Sequence, residues 1–183
     1  TSDCAPLDQQ AAMILELVPE AKTVGMLYCS AEPNSEYQVN VVTEALKELN
    51  PDLEIKNYTF ADSNDISSVA TSATECDVVY IPTDNTAANN TEAINNVMEP
   101  AGVPVIAGEV GICQGCGIAT LSISYYDLGY TTGEMAYEIL EEGADISTME
   151  VQYAPNVTKQ YMADRCEKLG ITVPDDYEAI EAE

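Results

Sequence analysis

The sequence contains no histidine and no tryptophan, a single phenylalanine (Phe60), and only 6 lysines and arginines in 183 residues. Without histidine the chain has lost the commonest general base and the commonest neutral metal ligand. A Ser-His-Asp triad, a Cys-His dyad and a histidine-type zinc site are therefore excluded within it. The shortage of basic residues, set against 32 Asp and Glu, leaves a formal charge of −26. Nucleic acid is bound chiefly through Lys and Arg that neutralise phosphates, so it is not a partner here. An anionic membrane surface is disfavoured for the same reason. No apolar run approaches the roughly 18 residues of a membrane span. The N-terminus, Thr1-Ser2-Asp3-Cys4, has neither a basic nor an apolar leader region and no Met, which reads as a processed or excised chain.

What remains is enough to fold. A hydrophobic fraction of 46% separates the chain from acidic disordered proteins, which lack the apolar surface to offset ordering entropy. Eleven tyrosines supply nearly all the aromatic surface, each with an apolar face and a polar tip.

Short β-branched runs alternate with segments of helical period, the pattern of βαβ units around a parallel sheet. The reading places a helix over 6–17, a strand over 24–29, a helix from Asn34 or Ser35 to about 50, and a strand over 54–60. A helix over 66–74, a strand over 78–82, a turn at 83–86 and a helix over 87–100 follow. Strands over 103–107 and 119–124 come next, then a long helix over 125–142 stopped by Gly143. A short strand over 151–154, a helix over 157–169 closed by Gly170, and a frayed acidic tail from 175 complete it.

In an open parallel sheet, ligands bind beyond the C-terminal ends of the strands. Four such ends carry small polar residues: Asn34 and Ser35, Thr83 with Asp84 and Asn85, Glu109, and Ser124 with Tyr125. Converged on one edge, their amides, hydroxyls and carboxylates suit a small polar ligand, a carboxylate meeting an ammonium group. The same residue types also cap helices, Ser35 most naturally of all. The glycines fit neither dinucleotide nor P-loop spacing, so no nucleotide cofactor is expected.

Cys113-Gln114-Gly115-Cys116 is a C-x-x-C, a spacing shared by redox pairs, half zinc sites and local disulfides. Cys4, Cys29, Cys76 and Cys166 form no second close pair, so no metal site is expected. The motif falls in a glycine-rich loop between the fourth and fifth strands, away from the place a thioredoxin-like motif takes. A disulfide or a reduced loop pair is the expectation. An enzyme would have to use Cys116 or Asp84 as nucleophile or base, and neither sits in a catalytic constellation.

In order and spacing, Leu17-Val18-Pro19 with Thr23-Val24-Gly25, Glu32-Pro33-Asn34-Ser35, Ile81-Pro82-Thr83-Asp84-Asn85, Val103 to Glu109, Ser124 to Gly129 and Leu169 to Pro174 resemble ABC-transporter substrate-binding proteins of the tryptophan/tyrosine type. The resemblance implies a type I periplasmic binding protein: two Rossmann-like lobes that close on a solute and hand it to a membrane permease, with no catalysis. It implies that residues 1–124 are the second, α/β lobe with hinges at both ends, that 125–174 are a returning helix-strand-helix segment, and that 175–183 are a disordered tail. Signal peptide, lipid-anchor cysteine and first lobe would lie upstream, with the protein extracytoplasmic, either periplasmic or anchored at the cell surface. Asn34, Ser35, Thr83, Asp84, Asn85, Glu109 and Tyr125 would share the ligand, expected to be an amino acid, with Ser2, Asp3 and Ser124 near the hinge. The alternative on the same fold is the ligand-sensing domain of a receptor or regulator. Without a first lobe, the helix over 125–142 would lack its partner, so self-association or exchange between copies is expected.

Overall fold

A computed structural model describes residues 1–181. The elements run α1 (Leu7–Leu17), β1 (Thr23–Cys29), α2 (Pro33–Leu49), β2 (Glu54–Phe60), α3 (Ile66–Ala73), β3 (Val78–Ile81), α4 (Asn85–Ala88), α5 (Thr91–Ala101) and β4 (Val105–Ala107). They continue with α6 (Val110–Cys116), β5 (Ala119–Ile123), α7 (Tyr125–Leu140), β6 (Val157–Tyr161), α8 (Ala163–Leu169) and β7 (Glu178–Ala179). The strands form one sheet in the order β2-β1-β3-β4-β5-β6-β7. From β2 to β5 every neighbouring pair is parallel, β6 runs antiparallel to β5, and β7 lies parallel to β6.

Helices cover both faces because the strands are apolar on both. Val24, Met26 and Tyr28 of β1 face α1 and α2, meeting Met13, Ile14, Val39, Val42 and Leu46. Leu27 and Cys29, one residue out of phase, face α3, α5 and α6 with Ile66, Ala70, Ile94, Met98 and Ile112. Each fully buried large side chain contributes roughly 1.5–3 kcal/mol, so this two-sided core dominates stability. The result is the α/β, Rossmann-like parallel-sheet architecture that the sequence pattern implies.

Several local expectations are corrected. The expected helix over 87–100 is two helices, because Asp84 starts α4 and the Asn89 and Asn90 amides bond back to the carbonyls of Asn85 and Thr86. Such local bonds compete with continuing a helix. Residues 157–161, expected to be helical, form β6, since Val157 to Tyr161 pair with Ile123 to Ala119 along the otherwise open edge of β5. The strand expected over 151–154 reduces to one bridge between Tyr153 and Ser2. Cys113 and Cys116 lie on α6 rather than in a loop.

The acidic tail is also ordered where it is described. Tyr177 is buried, its ring edge-on to Tyr161 with centroids 6.5 Å apart, and its hydroxyl donates to Glu16 Oε2 at 2.7 Å. Lys159 joins Glu16 and Asp176 at 2.9 Å each, and the Ile180 N–H donates to the Tyr161 carbonyl. The last two residues of the expected disordered tail, Ala182 and Glu183, lie outside the described residues. Within residues 125–174, β6 extends the sheet of 1–124 by pairing with β5. Within that segment α7 is the exception: it has no buried residue, and Tyr126 and Leu140 are 81% and 78% exposed.

Candidate functional site

Strand order reverses between β1 and β3, with β2 on one side and β4 on the other. At such a switch point the crossovers leave on opposite faces and a crevice opens beyond the strand ends. A cleft of about 460 Å³ lies there, lined by Ser2, Asp3, Cys4, Asn34, Tyr37, Gln38, Thr83, Asn85 and Tyr125.

One wall is a hydrogen-bonded frame joining the start of α2 to the loop after β3. Pro33 begins α2, its fixed φ suiting the first turn. The preceding Glu32 turns away from its own helix: its carboxylate accepts from the Asn85 and Thr86 amides at 3.0 and 2.8 Å and from both their side chains. Burial would raise the Glu32 pKa, but these bonds outweigh it and hold the group below the usual carboxylate range. Asp84 Oδ1 accepts from Ala87 N at 2.8 Å, while Oδ2 accepts from Cys29 N at 2.7 Å and Ser35 Oγ at 2.8 Å. Gln38 clamps Thr83 from both sides, Oε1 accepting its N–H at 3.1 Å and Nε2 donating to its carbonyl at 3.0 Å. Asn34 Nδ2 donates to that carbonyl as well.

The frame is tight because Gly108 lets β4 approach the loop. A Cβ on Gly108 would stand 2.5 Å from Thr83 N and 2.6 Å from the Pro82 carbonyl carbon. No other residue fits without moving the cleft wall.

The facing rim comes from three stretches of chain held side by side. The Ser2 N–H donates to the Gln152 carbonyl at 2.8 Å, and Ser2 bridges Tyr153. Ser2 Oγ accepts from Cys4 N. Ser124 Oγ caps α7 by accepting from Asp127 N at 3.1 Å, which sets Tyr125 on the rim. Burial raises the Tyr125 pKa, and the negative charges of Asp3 and Glu109 raise it further.

The structure thus gathers Asn34, Thr83, Asn85 and Tyr125 at the cleft with Ser2 and Asp3, but not the other expected residues. Ser35 and Asp84 are buried behind the wall. Ser35 caps nothing, its hydroxyl donating to Asp84. Glu109 is occupied at the start of α6, accepting from Gly111 N at 2.8 Å and from Ile112 N. Tyr37, Gln38 and Cys4 are additions. Tyr37 and Gln38 stand three and four residues after Asn34, so they share its helix face, and that spacing was the available signal.

The C-x-x-C is walled off from this site. Both thiols are free and buried; burial pushes both up, Cys116 to about 12 despite the opposing charge of Arg165. Protonated buried thiols are inert. Arg165 accounts for the helix that carries them, donating at 2.9 Å to the carbonyls of Cys113, Gln114, Gly115 and Gly117. A second cleft, of about 400 Å³, lies at the opposite sheet edge against Arg165, Glu99 and Lys168, where Lys168 pairs with Glu99 at 2.6 Å. Among the described residues no group of three or more His, Cys, Asp or Glu side chains is arranged to hold a metal ion, and no helix is long and apolar enough to cross a membrane.

The family model for ABC transporter substrate binding proteins matches residues 1–182. A tyrosine-binding protein of Clostridioides difficile (strain R20291) is 32% identical over 142 residues, covering 77% of this chain and 41% of that protein. The chain therefore spans under half the length of that relative. Among solved structures, the ligand-free, open form of a substrate-binding protein with adhesive properties from Clostridium difficile matches with a TM-score of 0.80 at 29% identity, over all of this chain and 62% of that one. The ABC domain from Streptococcus pneumonia in complex with L-Trp matches with a TM-score of 0.81 at 27% identity, over 95% and 61%. These relatives are binding proteins, not enzymes.

Proposed function

The chain belongs to the ABC transporter substrate-binding protein family, and from that premise we propose that it forms one wall of the solute site of an extracytoplasmic importer component whose ligand is an aromatic amino acid. The observation that carries this reading is the cleft at the β1/β3 switch point, where two tyrosines and five uncharged polar residues, Ser2, Asn34, Gln38, Thr83 and Asn85, meet a single carboxylate. Tyr37 and Tyr125 offer faces to an aromatic side chain, and the amides and hydroxyls offer bonds to its polar end. The L-Trp and tyrosine-binding relatives support the same ligand class.

Function would follow from closure. The strands of chain crossing at Ser2, Ser124 and Gln152 act as a hinge, and a ligand touching both sides of the cleft stabilises the closed form by its additional contacts there. A membrane permease of the ABC type then receives the solute. Taken alone, the chain self-associates through α7, whose Tyr126, Tyr130, Tyr137 and Leu140 are exposed; light scattering that returns a monomer mass counts against that.

The test is a thermal-shift screen of the intact protein against the amino acids, followed by calorimetry. L-tyrosine or L-tryptophan should give the largest shift. A protein that no amino acid stabilises is not an amino-acid receptor.

A further inference from the structure

The acidic side chains around the cleft are not equivalent. Asp84, Glu32 and Glu109 each have both oxygens engaged by backbone or side-chain donors at the start of a helix. Glu32 accepts four bonds, Asp84 three and Glu109 two, and none of the three lines the cleft. Asp3 lines the same cleft, is exposed, and among the described residues accepts no hydrogen bond and pairs with no cation. Its backbone is nonetheless fixed, because its neighbour Ser2 is bonded to Gln152 and bridged to Tyr153.

Charge sharpens the contrast. The chain's six cations are Lys22, Lys47, Lys56, Lys159, Arg165 and Lys168, and none lines this cleft. Lys56, Lys159 and Lys168 are paired with carboxylates and Arg165 with carbonyls. This wall therefore presents one uncompensated negative charge and neutral donors. Tyr37 and Tyr125 share the cleft, and tyrosine faces also attract an ammonium group. The field of Asp3 already reaches both its neighbours across the site, raising the pKa of Cys4 after burial and that of Tyr125 after burial.

Building on the amino-acid reading above, we infer that Asp3 is the carboxylate that receives the ligand's ammonium group, and that it selects ligands with a free, charged amine. The family resemblance implies a place near the hinge for Asp3, and Asp84 and Glu109 are the strand-end carboxylates that the sequence offers to a ligand. Geometry favours Asp3: among the described residues it alone combines a place in the cleft with a carboxylate that no donor or cation engages. Charge-assisted contacts of this type discriminate strongly, since loss of one partner leaves the other without compensation.

The experiment compares wild-type intact protein with Asp3→Asn and Asp3→Glu by calorimetry, using L-tyrosine, tyramine and N-acetyl-L-tyrosine. Wild type should bind L-tyrosine and tyramine and lose at least tenfold in affinity for the N-acetyl compound. D3N should lose at least tenfold for L-tyrosine and tyramine while binding N-acetyl-L-tyrosine as wild type does, with an unchanged melting temperature because Asp3 holds nothing in the fold. D3E should retain part of the affinity and so excludes general damage. If wild type binds L-tyrosine and D3N binds it equally well, Asp3 is not the ammonium site, although the amino-acid reading survives. If wild type binds neither L-tyrosine nor any other free amino acid, both are overturned.

Discussion

Ser35 Oγ donates a hydrogen bond of 2.8 Å to Asp84 Oδ2, joining the first turn of α2 to the start of α4 beneath the cleft, with both side chains at most 1% exposed. The same oxygen accepts from Cys29 N at 2.7 Å, and its partner Oδ1 from Ala87 N. One carboxylate thus ties together the ends of β1, α2 and α4.

Replacing Asp84 by Ala leaves three donors without an acceptor, each worth roughly 1–3 kcal/mol when buried and unpaired. Asp84→Ala should lower stability by about 3 kcal/mol and Ser35→Ala by about 1 kcal/mol. Denaturant titration of both variants and the double variant checks this, the double costing less than the sum of the singles because they share one bond. A full-stability Asp84→Ala protein that has merely lost ligand would return Asp84 to the cleft.

Gly108→Ala places a methyl group 2.5 Å from Thr83 N, against backbone that cannot rotate away. Overpacking of this sort costs about 1–3 kcal/mol. Because the displaced loop carries Thr83 and Asn85, the variant should lose ligand affinity together with melting temperature. Unchanged affinity in a destabilised variant would mean that the loop is not part of the site.

Arg165→Ala removes four hydrogen bonds, made by two guanidinium nitrogens, to the carbonyls of the last turn of α6 and of Gly117 just after it, and should cost about 2 kcal/mol. Arg165→Lys should recover little, since an ammonium cannot reproduce the planar fork. Alkylation of Cys113 and Cys116, followed by mass spectrometry, offers a second readout: both are protected in wild type and should become reactive in Arg165→Ala.

Stability should fall on acidification. Asp77 accepts from the amides of Lys22 and Thr23 and from the Thr23 hydroxyl at 2.8–2.9 Å, and these bonds hold its pKa below the usual range. Glu32 is also held low, its hydrogen bonds overcoming burial. In the unfolded chain both groups return to ordinary values near 4. Unfolded protein then binds more protons in this range, so the contribution is complete above about pH 5 and is lost as pH falls through the folded values. Melting temperatures from pH 7 to 3 should show this decline, and Asp77→Asn should lower the value at pH 7 while flattening the acid limb. An unaltered slope in Asp77→Asn would assign the acid sensitivity elsewhere.

Much of the molecule was legible in the residues. The apolar runs 24–29, 78–82 and 103–107 read as strands of a parallel sheet, and the polar strand ends pointed to the edge where the cleft lies. The segment 157–161 did not read correctly. Val-Thr-Lys-Gln-Tyr carries no decisive period, and only the unpaired edge of β5 made it a strand. The ordering of 175–180 was equally hidden, since it depends on Tyr177 finding Tyr161 and Glu16, both remote in sequence.

The opening scarcities keep their force. The absence of histidine excludes a Ser-His-Asp triad, a Cys-His dyad and a histidine-type zinc site within the chain, and 6 lysines and arginines against 32 acidic residues oppose binding to phosphate backbones, because both statements depend on which groups exist and not on where they lie. Placement was beyond the sequence. Asp84, Glu109 and Asp3 are the same functional group on three polar loops, and nothing local distinguishes a carboxylate that will be surrounded by donors from one that will not. Tertiary structure decided it by bringing Cys29 and Ser35 to Asp84, turning Glu109 onto the amides of α6, and leaving Asp3 beside two tyrosines with its charge unspent.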